Sequence, residues 1–171
     1  TDEATLQKMR DVGFELVPIS LPDLPVRSIS FILWAEADAA FDELTLTNQD
    51  DQMVRQIKNA WPNFFRRARF VPAVEYIKAN RLRTLLMEAM QQTLQNVDVY
   101  LAPSWVGPNL TLTNLTGHPC VVLPNGFSAQ GTPQSITFVG KLLGEAELLL
   151  VAKTYQEATD FHLQHPEWLK R

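Results

Sequence analysis

Three short apolar runs, each closed by a proline or a glycine, constrain this chain more than any other feature: VDVYLAP at 97–103, PCVVLP at 119–124 and SITFVG at 135–140. Runs of that length, carrying β-branched residues and bounded by turn residues, predict buried strands. The second and third are joined by NGFSAQGTPQ at 125–134, a connector rich in turn-forming residues. Six of the seven glycines lie between 107 and 144, so the backbone there must turn tightly or approach other groups closely. TNLTG at 113–117 reads as a loop in which Asn114 can hydrogen-bond backbone and Gly117 permits a positive φ.

Elsewhere the periodicity is helical. Leu6, Met9 and Val12 predict a helix over 2–12 that Gly13 stops, and FELVPI at 14–19 then predicts a short strand. After Pro22 and Pro25, the spacing of Ile29, Ile32, Leu33, Ala37, Ala40, Phe41 and Leu44 predicts one helix over about 26–46. Asn48 or Asp50 could cap a further helix reaching about Lys58. Pro72 suits the first turn of a long helix over about 72–96, striped by Leu82, Leu85, Leu86, Ala89, Met90, Thr93 and Leu94. A last helix is expected over about 144–164, with Leu148, Val151, Ala152, Tyr155, Ala158 and Thr159 facing inward. Helices alternating with a few short strands predict an α/β, three-layer arrangement in a single domain spanning 1–171.

The bulk properties exclude several classes. With 46% hydrophobic and 20% charged residues the chain is too apolar for disorder. A net charge of -4 argues against nucleic-acid binding, and Arg66-Arg67-Ala68-Arg69 reads as a solvated or salt-bridged face. No apolar run approaches the roughly 20 residues of a membrane span. The single cysteine, Cys120, allows no intrachain disulfide and is expected to be a buried, inert thiol. Nothing at Thr1 reads as a signal peptide, and the cytoplasm is the expected compartment.

Chemistry is harder to find. Glu36 shares the apolar face of its helix, where it is either a positioned carboxylate or, the favoured reading, a partner for an arginine or a helix end. His162 and His165 are three residues apart, but no third ligand is fixed by spacing, so a surface helix end is favoured over a metal site. His118 has no serine or cysteine at a recognisable spacing to activate. There is no GxSxG, P-loop or GxGxxG motif. Ligands of open α/β sheets sit at strand carboxyl ends, which marks residues 103–109 as the candidate pocket.

Three stretches together resemble the C-terminal half of amidase signature enzymes: VPAVEYIKANRLRTLLMEAMQQTLQNVDVYLAPS (71–104), TNLTGHPCVVLPNGFSAQGTPQSITFVGKLLGEAELLLVAKTYQEAT (113–159) and, more loosely, LQKMRDVGFELVPISLP (6–22). The resemblance implies a small mixed sheet between helical layers, and hydrolysis of a carboxamide by a serine, a second serine in a cis peptide and a lysine base, without metal or cofactor. Those catalytic groups belong to a Gly/Ser-rich segment of the family's N-terminal half. Here no Ser-Ser or Gly-Gly pair exists and no lysine matches, so no catalytic residue is assigned. The implied partners are the N-terminal catalytic half of the same polypeptide and a small amide substrate, with a homodimer through the uncovered surface as a further expectation. Trp105, Asn109 and Asn114 are the candidate substrate-side residues; Trp105 could equally serve as a lid over the helix layer. The alternative reading is a stand-alone, non-catalytic α/β scaffold or binding module.

Overall fold

The computed structural model describes residues 2–169. In chain order its elements are α1 (Asp2–Asp11), α2 (Phe31–Ala40), α3 (Asp42–Leu46), α4 (Trp61–Ala68), α5 (Ala73–Thr93), β1 (Val99–Pro103), α6 (Asn109–Thr116), β2 (Cys120–Phe127), β3 (Pro133–Gly140) and α7 (Glu145–Glu157). They fall into two compact units, one made of the residues up to Pro22 together with those from Glu88 onward, the other of Asp23–Met87. Helix α5 runs through the boundary. Among the described residues no helix is long and apolar enough to cross a membrane.

The first unit is α/β and is built on a three-stranded sheet in the order β1-β3-β2. Both pairings are antiparallel, so the mixed sheet implied by the resemblance is not complete in these three strands. Strand alternation decides what each face does. Leu101, Phe138 and Val121 stand in register, as do Pro103, Ile136 and Leu123. On that face Ile136 and Phe138 join Met9 of α1 and Leu148 and Tyr155 of α7 in one buried cluster, with Val99, Leu101, Val121, Leu123 and Val151 packed around it. The Phe138 and Tyr155 rings lie 5.4 Å apart. On the opposite face Tyr100, Val139 and Cys120 stand in register. There the Tyr100 hydroxyl donates to Asn109 Oδ1 at 2.7 Å and ties in α6. Gly117 ends α6 at φ 78, and the N–H groups of Gly117 and His118 both donate to Thr113 O, at 2.8 and 3.2 Å. That left-handed stop favours glycine.

The second unit is helical. Val26, Ile29, Ile32, Phe65, Ala68 and Ala79 are buried in it. Its aromatic residues form a ladder: Trp34 stacks on Phe64 at 5.0 Å, Trp61 meets Phe65 at 5.6 Å, and Phe41 meets Phe65 at 5.9 Å. The basic cluster is held by partners. Arg66 pairs with buried Asp50 and with Asp51, Arg69 with Asp42, and Arg67 lies over the Phe64 ring at 5.7 Å. Glu36 accepts a hydrogen bond from the Tyr76 hydroxyl at 2.9 Å and lies 3.9 Å from Arg83, the paired role favoured from sequence.

Several local expectations are corrected. The helix expected over 26–46 is broken into a 3₁₀ turn, α2 and α3. The break at Phe41 (φ -114) coincides with its packing on Phe65, so a tertiary contact overrides periodicity. Leu33 and Phe41, placed on the buried face, are more than half exposed. The helix proposed from Asn48 to Lys58 is only the 3₁₀ turn Gln49–Gln52, because Asp50 turns inward to Arg66 and makes no cap. The last helix stops at Glu157, which leaves His162 in a separate 3₁₀ turn (Phe161–Leu163). TNLTG is the end of a helix, α6, with its glycine as the stop. Cys120 is exposed, at the start of the edge strand β2. FELVPI forms no strand, since among the described residues nothing pairs with it.

Candidate substrate-side site

The carboxyl end of β1 leads into Ser104-Trp105-Val106-Gly107-Pro108 and then α6. Trp105 takes φ 66 without being glycine, and its side chain is 87% exposed. An L residue in that region costs on the order of 1–2 kcal/mol, and an indole held there in solvent covers little. It borders a cavity of about 420 Å³ shared with Pro103, Ser104, Val106, Asn125, Gln134 and Ser135. The Ser104 and Thr137 hydroxyls are hydrogen-bonded at 2.8 Å. Gln134 Oε1 is buried without a hydrogen-bond partner among the described residues. The cavity therefore joins an aromatic surface to amide and hydroxyl groups.

The other two candidate residues lie elsewhere in this region. Asn109 is buried as the first residue of α6, its Oδ1 occupied by Tyr100. Burial, and secondarily the neighbouring Cys120, push the Tyr100 phenol well above its ordinary 10.0. Asn114 is exposed on α6 and donates from Nδ2 to Leu110 O at 2.7 Å, within its own helix. Of the three, Trp105 alone lines the cavity.

The sequence reading missed Asn125. It is 3% exposed, and its Oδ1 accepts from Thr5 Oγ1 at 3.0 Å and from the Tyr155 hydroxyl at 2.5 Å. It thereby joins α1, α7 and the irregular end of β2 while bordering the cavity. Burial raises the Tyr155 phenol, partly opposed by its hydrogen bond with Thr5. The Pro-Asn-Gly sequence signals the turn, but no local pattern shows that the asparagine points inward.

His118 is buried beside α6. The Thr116 hydroxyl is hydrogen-bonded with His118 Nδ1 at 2.7 Å and lies 2.8 Å from Leu112 O. Cys120 Sγ donates to the His118 carbonyl at 3.5 Å, not to the imidazole. Burial holds the imidazole below its ordinary 6.5. The unfolded chain therefore takes up a proton more readily than the folded one. The contribution of His118 to stability is complete above about 6.5 and is lost as pH falls through the lowered folded value. Urea midpoints should drop between neutral pH and about pH 5, and His118→Gln should flatten part of that slope; equal slopes would remove His118 from the account. Among the described residues no group of three or more histidine, cysteine or carboxylate side chains could hold a metal ion.

No family model matches the chain. It is 32% identical over 111 residues to a glutamyl-tRNA(Gln) amidotransferase subunit from Trichormus variabilis, covering 54% of this chain and 23% of that protein. It is 25% identical over 190 residues to an amidase of Pseudomonas putida, covering 96% of this chain and 40% of that protein. The sequence relatives of this chain thus include an amidase and an amidotransferase subunit. The fold agrees: the native peptide amidase from Stenotrophomonas maltophilia superposes with a TM-score of 0.77 at 19% identity, over 96% of this chain and 40% of that one. The chain spans less than half the length of these proteins.

Proposed function

We propose that this chain is the C-terminal, substrate-side part of a carbon-nitrogen amide hydrolase, and that the catalytic serines and lysine belong to another part of the same protein. The observation that carries this reading is the match of 96% of the chain to 40% of an amidase. The missing chemistry supports it as well. Nucleophilic catalysis needs an activated nucleophile, and the hydroxyl that Ser104 meets is that of Thr137, not a base. On this reading the two compact units belong to one C-terminal portion, the partner is the N-terminal catalytic part, and the substrate is a small amide.

Within that assignment Trp105 faces the substrate, and Asn109 and Asn114 support the loop and helix behind it. In the whole protein, Trp105→Ala should change the ratio of kcat/KM between aryl and alkyl amides. Unfolding free energy should stay within about 0.5 kcal/mol, because the ring is exposed and alanine takes the same backbone conformation at similar cost. An unchanged substrate ratio together with a large loss of stability would make Trp105 a packing residue. Assay of the complete reading frame on simple amides tests the assignment itself: amide hydrolysis supports it, and a stable, fully folded product with no such activity refutes it.

A further inference from the structure

The cavity beside Trp105 contains side-chain amides whose hydrogen bonds are incomplete. Asn125, buried in the irregular end of β2, lines it. Its Oδ1 accepts from both Thr5 and Tyr155, which fixes the plane of the amide. Its Nδ2 makes no hydrogen bond among the described residues. Gln134, the second residue of β3, lines the same cavity, and its Oε1 is buried with no donor among the described residues. Buried polar groups left without partners are rare, because each gives up hydration that nothing returns. No residue lining the cavity among those described carries a charge. Its volume of about 420 Å³ suits a small molecule.

We propose that this cavity binds a second, uncleaved carboxamide of the substrate, so that the amides this protein acts on are acylated amino-acid amides and similar peptide-like compounds. The inference rests on the reading of the chain as part of an amide hydrolase and deepens it. A secondary carboxamide presents one carbonyl acceptor and one N–H donor. Asn125 Nδ2 donates to the carbonyl. Gln134 Oε1 accepts from the N–H, since the terminal torsion of glutamine is soft enough to turn the oxygen towards a donor in the cavity. An ion would find no counter-charge in this lining and would lose its hydration. A purely apolar group would leave both amides unpaired. The exposed indole of Trp105 offers a flat apolar face to a ring carried next to that amide.

The test compares N-acetylphenylalanine amide with hydrocinnamamide, which has the same primary carboxamide and ring but lacks the second amide. In the complete protein kcat/KM should favour the first by at least about tenfold. Gln134→Met removes the acceptor at similar volume and should abolish most of that preference. Asn125→Asp keeps the oxygen that Thr5 and Tyr155 use but exchanges the donor for an acceptor, and should do the same; both are judged on variants with unchanged circular dichroism. Binding to the full 171-residue chain is read separately by NMR. The side-chain amide resonances of Asn125 and Gln134 should shift with N-acetylphenylalanine amide and not with hydrocinnamamide. Equal kcat/KM for the two compounds, a preference that Gln134→Met leaves intact, or shifts confined to other residues overturns the proposal. Absence of all amide hydrolysis by the complete protein overturns the amidase reading instead, and the NMR comparison then settles what the cavity binds.

Discussion

Arg66→Ala is expected to lower the unfolding free energy by roughly 3–5 kcal/mol, the range found when one partner of a buried ion pair is removed. Asp50 is 1% exposed, and its Oδ2 is in charge contact with the Arg66 guanidinium without a directed hydrogen bond. Removing the cation leaves a carboxylate in the interior of the helical unit with no compensating charge on that oxygen. Because Arg66 is itself 41% exposed, water can reach part of the site, which favours the lower end of the range. Asp50→Asn in the Arg66→Ala background should recover more than half of the loss, because the uncompensated charge goes with it. Denaturant unfolding of the single and double variants measures the coupling. Additive losses would show that Arg66 acts through packing alone.

Phe138→Ala should cost a similar amount, about 3–5 kcal/mol, by the mechanism of a core cavity. Phe138 is fully buried on the central strand, in register with Leu101 and Val121 and close to the Tyr155 ring. No neighbouring strand can close over the gap, since β3 is hydrogen-bonded on both sides. Phe138→Leu should cost clearly less, because it retains most of the apolar volume. Equal losses for the two variants would indicate that the tilted ring contact with Tyr155, and not volume, dominates.

The parts of the fold that were legible in the sequence are those with local causes. Turn residues bracket the three strands, and the observed Val99–Pro103, Cys120–Phe127 and Pro133–Gly140 overlap the expected runs, the last two each reaching into the connector expected between them. Pro72 and the leucine stripe place α5 within a few residues, with Leu86, Met90 and Leu94 of the stripe buried and Leu85 exposed. What was not legible depends on partners distant in sequence. The break at Phe41 follows from Phe65, and the inward turn of Asp50 follows from Arg66. Asn125 matters through Thr5, 120 residues away. FELVPI has the composition and alternation of a strand but lacks a neighbour, so periodicity alone could not distinguish an extended segment from a paired one. At the candidate site the loop after Pro103 was visible from its prolines and glycine. That Trp105 borders the cavity, while Asn109 serves Tyr100 and Asn114 serves its own helix, came only from three-dimensional placement.

The central claim is that this chain carries the substrate side of an amide hydrolase and lacks its nucleophile. The most direct measurement is hydrolysis of a panel of aryl and alkyl amides by the purified chain alone. The account predicts no turnover above buffer, because Ser20, Ser28, Ser30, Ser104, Ser128 and Ser135 occur in no Ser-Ser pair and no lysine here matches the family's base. Turnover that persists through purification and disappears when one of these serines is changed to alanine would contradict it.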